Sequence, residues 1–109
     1  MSIYTPDSWK IVLIETPSNG KVYKVLASWY GGFAGSSSWK LSSGITSIKH
    51  EEATLIAPQS SGSTYILHKN AEHISSMIGS LFSSFGIELA QVNGTISFVE
   101  LQNLPTEFS

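Results

Sequence analysis

The chain of 109 residues contains no cysteine and no arginine, and only 13% of its residues are charged. Without cysteine there can be no disulfide, thiolate metal ligand or thiol nucleophile, and this composition favours a reducing compartment. Without arginine, the forked ligand that usually recognises phosphates and guanine edges is missing. Because the formal net charge is −2 and the six lysines form no run, we expect no binding to duplex nucleic acid.

Long apolar runs are also missing. The longest run, residues 11–14, is too short to cross a bilayer, and residues 1–7 lack the basic and apolar regions of a signal peptide. We therefore expect a cytoplasmic protein that has no membrane partner. The length fits a single domain over residues 1–109. Low charge weakens repulsion between copies, which favours a homo-oligomer.

What the sequence does contain is a series of short strand patterns separated by turn residues. The turn at residues 17–20 predicts an N-terminal hairpin of residues 9–16 and 21–30. A further strand at 39–41 is expected to continue through a bulge into 45–50. The patterns at 53–57 and 63–69 predict two more strands.

One stretch has helical periodicity instead, because its apolar residues recur at spacings of three and four. These residues are Ile74, Met77, Ile78, Leu81, Phe82 and Phe85. They predict an amphipathic helix over about 71–85, with Asn70 as N-cap and Gly86 at the C-terminal end.

After this helix, Asn93-Gly94 is a strong signal for a tight turn and predicts a C-terminal hairpin of residues 88–92 and 95–101. Strands and helices do not alternate along the chain, which excludes parallel crossover folds. The predicted class is therefore α+β: a curled antiparallel β-sheet of about six or seven strands, with the one helix packed on it.

The segment 28–39 combines large rings with glycines, which supply contact surface and a backbone that another molecule can approach closely. Loops of this composition are typical of recognition surfaces. The predicted ligand- or partner-binding residues are Trp29, Tyr30, Gly31, Gly32, Phe33, Gly35 and Trp39. In the alternative interpretation, Trp29 and Trp39 lie on adjoining strands and pack against each other across the sheet.

The three histidines give a weak catalytic signal. His68 and His73 have Glu72 between them, as metal ligands or a base with its orienting carboxylate would require. However, a spacing of five across a strand-to-helix junction fits neither the helical nor the strand pattern of a metal pair. We predict no catalytic residue, no metal site and no cofactor, and a small hydrolase using these groups remains the less favoured alternative.

Three fragments resemble small uncharacterised proteins encoded by tailed bacteriophages, marine ones in particular. They are Tyr4-Thr5-Pro6-Asp7-Ser8-Trp9, the stretch from Lys24-Val25-Leu26-Ala27-Ser28-Trp29-Tyr30-Gly31-Gly32 to Ser38-Trp39-Lys40-Leu41-Ser42-Ser43-Gly44-Ile45, and Ser61-Gly62-Ser63-x-Tyr65. The resemblance covers roughly the first two thirds of the chain, and that family has no assigned activity. It implies the cytosol of an infected bacterium as the setting.

We therefore expect a non-catalytic binding or accessory protein that contacts a host protein or a small ligand through its aromatic–glycine–serine loop. A second hypothesis is a sponge that sequesters a nucleotide signalling molecule at a subunit interface, although the missing arginine weakens it. A third is a minor component of the virion.

Overall fold

The protein has an α+β fold, in which eight strands form two four-stranded sheets and one α-helix covers one of them, over the residues described. The computed structural model describes residues 2–30 and 38–108. The strands are β1 (Ile3–Tyr4), β2 (Ser8–Thr16), β3 (Gly20–Trp29), β4 (Ser38–Leu41), β5 (Lys49–His50), β6 (Thr54–Pro58), β7 (Thr64–His68) and β8 (Thr95–Phe98). The helix α1 spans Ser76–Ala90, and short 3-10 helices span Lys69–Ala71 and Leu101–Asn103.

The predicted single curled sheet is wrong, because the strands divide into two sheets. One sheet is antiparallel, with the order β4-β3-β2-β8, and the other is mixed, with the order β1-β7-β6-β5. In the mixed sheet, β1 runs parallel to β7, whereas the other neighbours are antiparallel. The antiparallel sheet packs against the mixed sheet on one face and against the helix on the other.

The chain changes sheet just after β4. Ser42 and Ile45 still donate backbone hydrogen bonds to β3, at the carbonyls of Val25 and Tyr23. Ile45 then bridges to Gln59, and the Thr46 N–H bonds to the Pro58 carbonyl in the mixed sheet. The prediction that the strand at 39–41 continues through a bulge into 45–50 is therefore wrong, because residues 45–50 pair with the mixed sheet.

The N-terminal hairpin is confirmed. β2 and β3 pair along their whole length, from Ser8 opposite Ser28 to Thr16 opposite Gly20. Three residues connect the strands, and Gly20 takes the positive φ of +67° that this type of loop requires.

Two apolar cores lie on the two faces of this hairpin. Between the sheets, Trp9 and Ile11 of β2 are fully buried with side chains from β3, β6 and β7. On the other face, Val12 and Leu26 are buried beneath Ile78 of the helix. Residues from 99 to 108 close the open side of the first core, where Phe108 contacts Tyr23 edge to face at 5.5 Å.

The helix is present, but it lies later in the chain than predicted. It begins after Ser75, whose Oγ accepts a hydrogen bond of 3.2 Å from the Ile78 N–H, and not after Asn70. It continues past Gly86 to Ala90, so Gly86 does not end it. Most of the predicted apolar face does pack on the sheet, whereas Ile74 lies before the helix and is 53% exposed.

The predicted C-terminal hairpin is wrong. Residues 88–90 belong to the helix, and β8 pairs with β2 instead. Asn93 takes a φ of +59°, and the Gly94 N–H donates a 2.8 Å bond to the Leu89 carbonyl at the end of the helix. A residue with positive φ suits a helix C-terminus as well as a hairpin turn, which explains the error.

Candidate functional site

The two tryptophans of the predicted binding loop lie on opposite faces of the antiparallel sheet. Trp39 pairs with Ser28, and Trp29 pairs with Ser38. Opposed residues of neighbouring strands share a face and successive residues alternate. Trp39 therefore faces the helix and Trp29 faces the mixed sheet, so the two rings do not pack on each other as the alternative interpretation required.

Trp29 is part of the edge of the core between the sheets. Its ring meets Tyr4 edge to face at a centroid distance of 6.1 Å, and its Nε1–H donates to the Thr5 carbonyl at 3.1 Å. Tyr4 in turn lies 5.1 Å from the ring of Tyr65. These contacts give Trp29 a packing role within the fold.

Tyr30 is held in place at the end of β3 and remains accessible. Its backbone N–H donates a 2.7 Å bond to Asp7 Oδ2, and its hydroxyl lies 3.1 Å from His73 Nε2. The residue is 46% exposed. Tyr30 thus connects the start of the predicted loop to the segment just before the helix.

Trp39 is equally accessible, at 46% exposure. Its ring meets Phe85 of the helix at a centroid distance of 5.7 Å, with an angle of 62° between the planes. One side of the ring borders an open groove of about 500 Å³, whose other walls are Ser76, Met77, Ser80 and Leu81. A second groove of about 380 Å³ is lined by Ile14, Leu41, Phe85, Glu88 and Leu89.

The remaining predicted binding residues, Gly31, Gly32, Phe33 and Gly35, lie outside the described residues. The predicted binding residues that the structure does describe are Trp29, Tyr30 and Trp39.

The histidines do not form the arrangement with Glu72 that the less favoured hydrolase alternative would require. The Glu72 carboxylate binds Lys10 Nζ at 3.0 Å, while His73 contacts Tyr30. His68 is exposed at the end of β7. Among residues 2–30 and 38–108, no group of three or more metal-ligating side chains could hold a metal ion.

Sequence reasoning missed a polar seam between the antiparallel sheet and the start of the helix. Ser8 and Ser28 are fully buried with their hydroxyl oxygens 2.5 Å apart, and Ser28 Oγ lies 3.3 Å from Ser75 Oγ. Lys10, on the same face of β2, is only 9% exposed and pairs with Glu72. The available signal in the sequence was the polar pair Ser8 and Lys10, two residues apart and directly before the apolar run of residues 11–14.

Comparisons of this chain with protein-family models, with curated proteins and with solved structures find no match. In the described part of the chain, no helix is both long enough and apolar enough to span a membrane.

Proposed function

We propose that this protein is a non-catalytic binding protein that contacts a partner protein or a small ligand through the aromatic side chains flanking residues 31–37. The observation that carries the proposal is the accessibility of Tyr30 and Trp39, each 46% exposed at the two ends of that segment. Large rings that are partly exposed on a folded surface are the side chains that most often dominate binding energy.

The surface around these rings is polar but carries little charge. Ser76 and Ser80 line the groove beside Trp39, and the Tyr30 hydroxyl is paired with His73. Hydroxyl groups donate and accept hydrogen bonds, so they adapt to many partners. The nearest carboxylates already have partners, since Glu72 binds Lys10 and Asp7 binds the Tyr30 N–H, which favours binding over acid–base chemistry.

The setting that we propose is the cytosol of an infected bacterium, because the N-terminal two thirds resemble small proteins of tailed bacteriophages. The partner would then be a host protein or a small ligand of the host. The low share of charged residues, 13%, also supports self-association of the protein.

The proposal is tested by comparing what the immobilised wild-type chain and the Tyr30→Ala/Trp39→Ala variant retain from a bacterial extract. We expect the variant to lose bound species that the wild type retains, because it lacks both accessible rings. Ile3→Ala is the matched control, since Ile3 is 70% exposed in β1 of the other sheet. It should retain the wild-type set.

Identical sets for the wild type and the double variant would overturn the proposal. Thermal unfolding of each variant distinguishes a lost contact from a lost fold. A shift of the wild-type melting temperature by cyclic nucleotides or ADP-ribose derivatives would instead favour the nucleotide sponge.

A further inference from the structure

We infer that the helix binds a second copy of this chain, with the two helices antiparallel about a twofold axis. The inference rests on the self-association included in the proposed function and deepens it by naming the surface. We call this surface, formed by Ser76, Gly79, Ser80, Ser83 and Ile87, the outer face of α1.

The first observation is a large apolar side chain that points away from the sheet. Ile87 is 69% exposed, although Ile78 and Phe82 of the same helix pack on the sheet. Ser83 and Ser80, which lie four and seven residues before Ile87 and therefore on the same side of the helix, are also exposed. An exposed isoleucine among serines gives this face an apolar contact point that nothing in the described chain covers.

The second observation is a set of four small residues in the N-terminal half of the helix. Ser76, Gly79, Ser80 and Ser83 occupy positions i, i+3, i+4 and i+7, which surround the hole that one side chain of a facing helix can enter. Ile74 adds an apolar wall, because its Cγ2 lies 3.6 Å from where a Cβ on Gly79 would be. The hole therefore has room for an aliphatic side chain and an apolar surface to contact it.

The exposed isoleucine and the hole match each other under a twofold axis. Ser80 and Ile87 are equally distant along the helix from the midpoint between Ser83 and Ser84. An antiparallel pair centred on that midpoint brings Ile87 of one copy level with Ser80 of the other, and symmetry repeats the contact in the opposite direction. Because the residues at the centre are small, the two helix axes can approach to about 8 Å. A second copy therefore fits this face without any further partner.

Charge favours the antiparallel pair over a parallel one. Glu88 is the only charged residue of α1 and lies in its last turn, where the helix dipole disfavours a carboxylate. In the antiparallel pair, Glu88 comes level with Gly79 in the first turn of the other helix, where the dipole favours a negative charge. A parallel pair would place the two Glu88 side chains at the same level instead. The small net charge of the chain, −2, adds little repulsion between copies.

The outer face of α1 is separate from the aromatic rings of the proposed partner site. Trp39 contacts Phe85, which packs on the sheet, and Tyr30 lies at the end of β3. Neither ring belongs to the outer face, so a dimer can still bind a further partner. A single pair of helices is small for a protein interface, so we expect a weak dimer with a dissociation constant on the order of 100 μM.

The experiment measures the dimerisation of the full-length chain by sedimentation equilibrium over a series of protein concentrations. Ile87→Glu should weaken the dimer by at least about tenfold, because it places an unpaired carboxylate of each copy in the hole of the other. Ile3→Glu is the matched control. It makes the same substitution on the other sheet at an isoleucine that is 70% exposed, and it should leave the dissociation constant unchanged.

Disulfide cross-linking tests the direction of the two helices. The chain has no cysteine, so a single introduced thiol can link only to its copy in a second chain. Ser83→Cys should form a linked dimer on oxidation, because the two copies of this residue meet beside the axis within reach of a disulfide. Ser76→Cys is the control. It is exposed on the same helix, but its two copies lie about 22 Å apart along the antiparallel pair, so it should not link.

A wild-type chain that stays monomeric up to about 1 mM, or a dimer that Ile87→Glu leaves intact, would overturn the inference. Cross-linking of Ser76→Cys as strongly as Ser83→Cys would indicate a parallel pair and overturn it as well. The proposed partner binding is judged separately, because Ile87→Glu keeps both aromatic rings. It would survive the loss of the dimer if Tyr30→Ala/Trp39→Ala still loses species that the wild type and Ile87→Glu retain from the bacterial extract.

Discussion

Tyr65 combines deep burial with an unpaired polar atom. Its side chain is 1% exposed in the core between the sheets, and its hydroxyl is the only buried side-chain polar atom without a hydrogen-bond partner in residues 2–30 and 38–108. Burial, with a smaller contribution from Tyr4, raises the pKa of this hydroxyl to about 12. Burying this hydroxyl without a hydrogen bond therefore lowers the free energy of unfolding of the protein.

Tyr65→Phe should raise the free energy of unfolding by about 1 kcal/mol at neutral pH, because it removes this unpaired group. It should also change the response to alkali. Between pH 10 and 12, Tyr65 ionises in the unfolded state but not in the folded state, so wild-type stability falls as the pH rises. The variant should lack this loss, which amounts to roughly 2 to 3 kcal/mol.

The measurement is urea unfolding of the wild type and Tyr65→Phe at a series of pH values from neutral to alkaline. Tyr30→Phe is the control, because the Tyr30 ring is 46% exposed. It should differ from the wild type by less than about 0.5 kcal/mol. Equal alkaline losses in wild type and Tyr65→Phe would contradict the raised pKa.

The start of the helix shows how one element is fixed by contacts that are distant in the chain. Ser75 caps the helix through Ile78 and also reaches Ser28 of β3. Asn70 is a similar residue type and begins a plausible helix in the sequence, yet it lies exposed in a 3-10 turn. Local propensity does not distinguish the two positions. The hydrogen bonds that connect the hydroxyls of Ser8, Ser28 and Ser75 favour Ser75 as the N-cap.

Ser75→Ala should therefore lower the free energy of unfolding by about 1 to 2 kcal/mol, the usual cost of losing an N-cap. Asn70→Ala should cost less than about 0.5 kcal/mol, because that residue caps no helix. Urea unfolding followed by circular dichroism measures both values. A larger loss for Asn70→Ala than for Ser75→Ala would show that the helix begins at the earlier position.

At the scale of the whole molecule, a largely buried ion pair is one of the contacts that attach the connection between β7 and the helix to the antiparallel sheet. Lys10 and Glu72 have side chains only 11% and 19% exposed, and they meet at 3.0 Å. Lys10 Nζ also lies 5.8 Å from the centre of the Phe98 ring. Trp9 and Glu72 form a backbone bridge beside the pair. Removing one charge would leave the other poorly solvated.

Glu72→Leu should lower the free energy of unfolding by about 3 kcal/mol, since it leaves Lys10 buried without its partner. The double variant Lys10→Met/Glu72→Leu should recover to within about 1 kcal/mol of the wild type, because neither charge remains. Chemical denaturation of the two variants tests this. If the double variant is no more stable than Glu72→Leu, the ion pair is not the cause of the loss.

Several features of the fold were predictable from neighbouring residues alone. The turn at 17–20 and the strand patterns beside it predict the β2–β3 hairpin, because a tight turn and period-2 alternation are local signals. The helical spacing of residues 77, 78, 81, 82 and 85 likewise predicts a helix that packs on a sheet. The aromatic residues between positions 29 and 39 predict a contact surface that includes Tyr30 and Trp39, and both of these side chains are accessible in the structure.

The wrong predictions of a single sheet and of a C-terminal hairpin have identifiable causes. β2 carries Trp9 and Ile11 on one face and Val12 on the other, a nearly continuous apolar run of the kind found in strands buried on both sides. The prediction of a single curled sheet assumed that only one face of β2 is buried. Asn93-Gly94 satisfies the requirements of a helix end and of a hairpin turn alike, so the pair by itself does not determine which one forms.

Local residue patterns are sufficient to predict the α+β class, the N-terminal hairpin and the presence of one amphipathic helix, because each depends on residues within a few positions of one another. The division of the strands into two sheets, and the positions of Trp29 and Trp39 on opposite faces, become visible in the folded chain alone. Those features depend on the pairing register between strands that are far apart in the chain. A shift of one residue in that register exchanges the two faces of a strand.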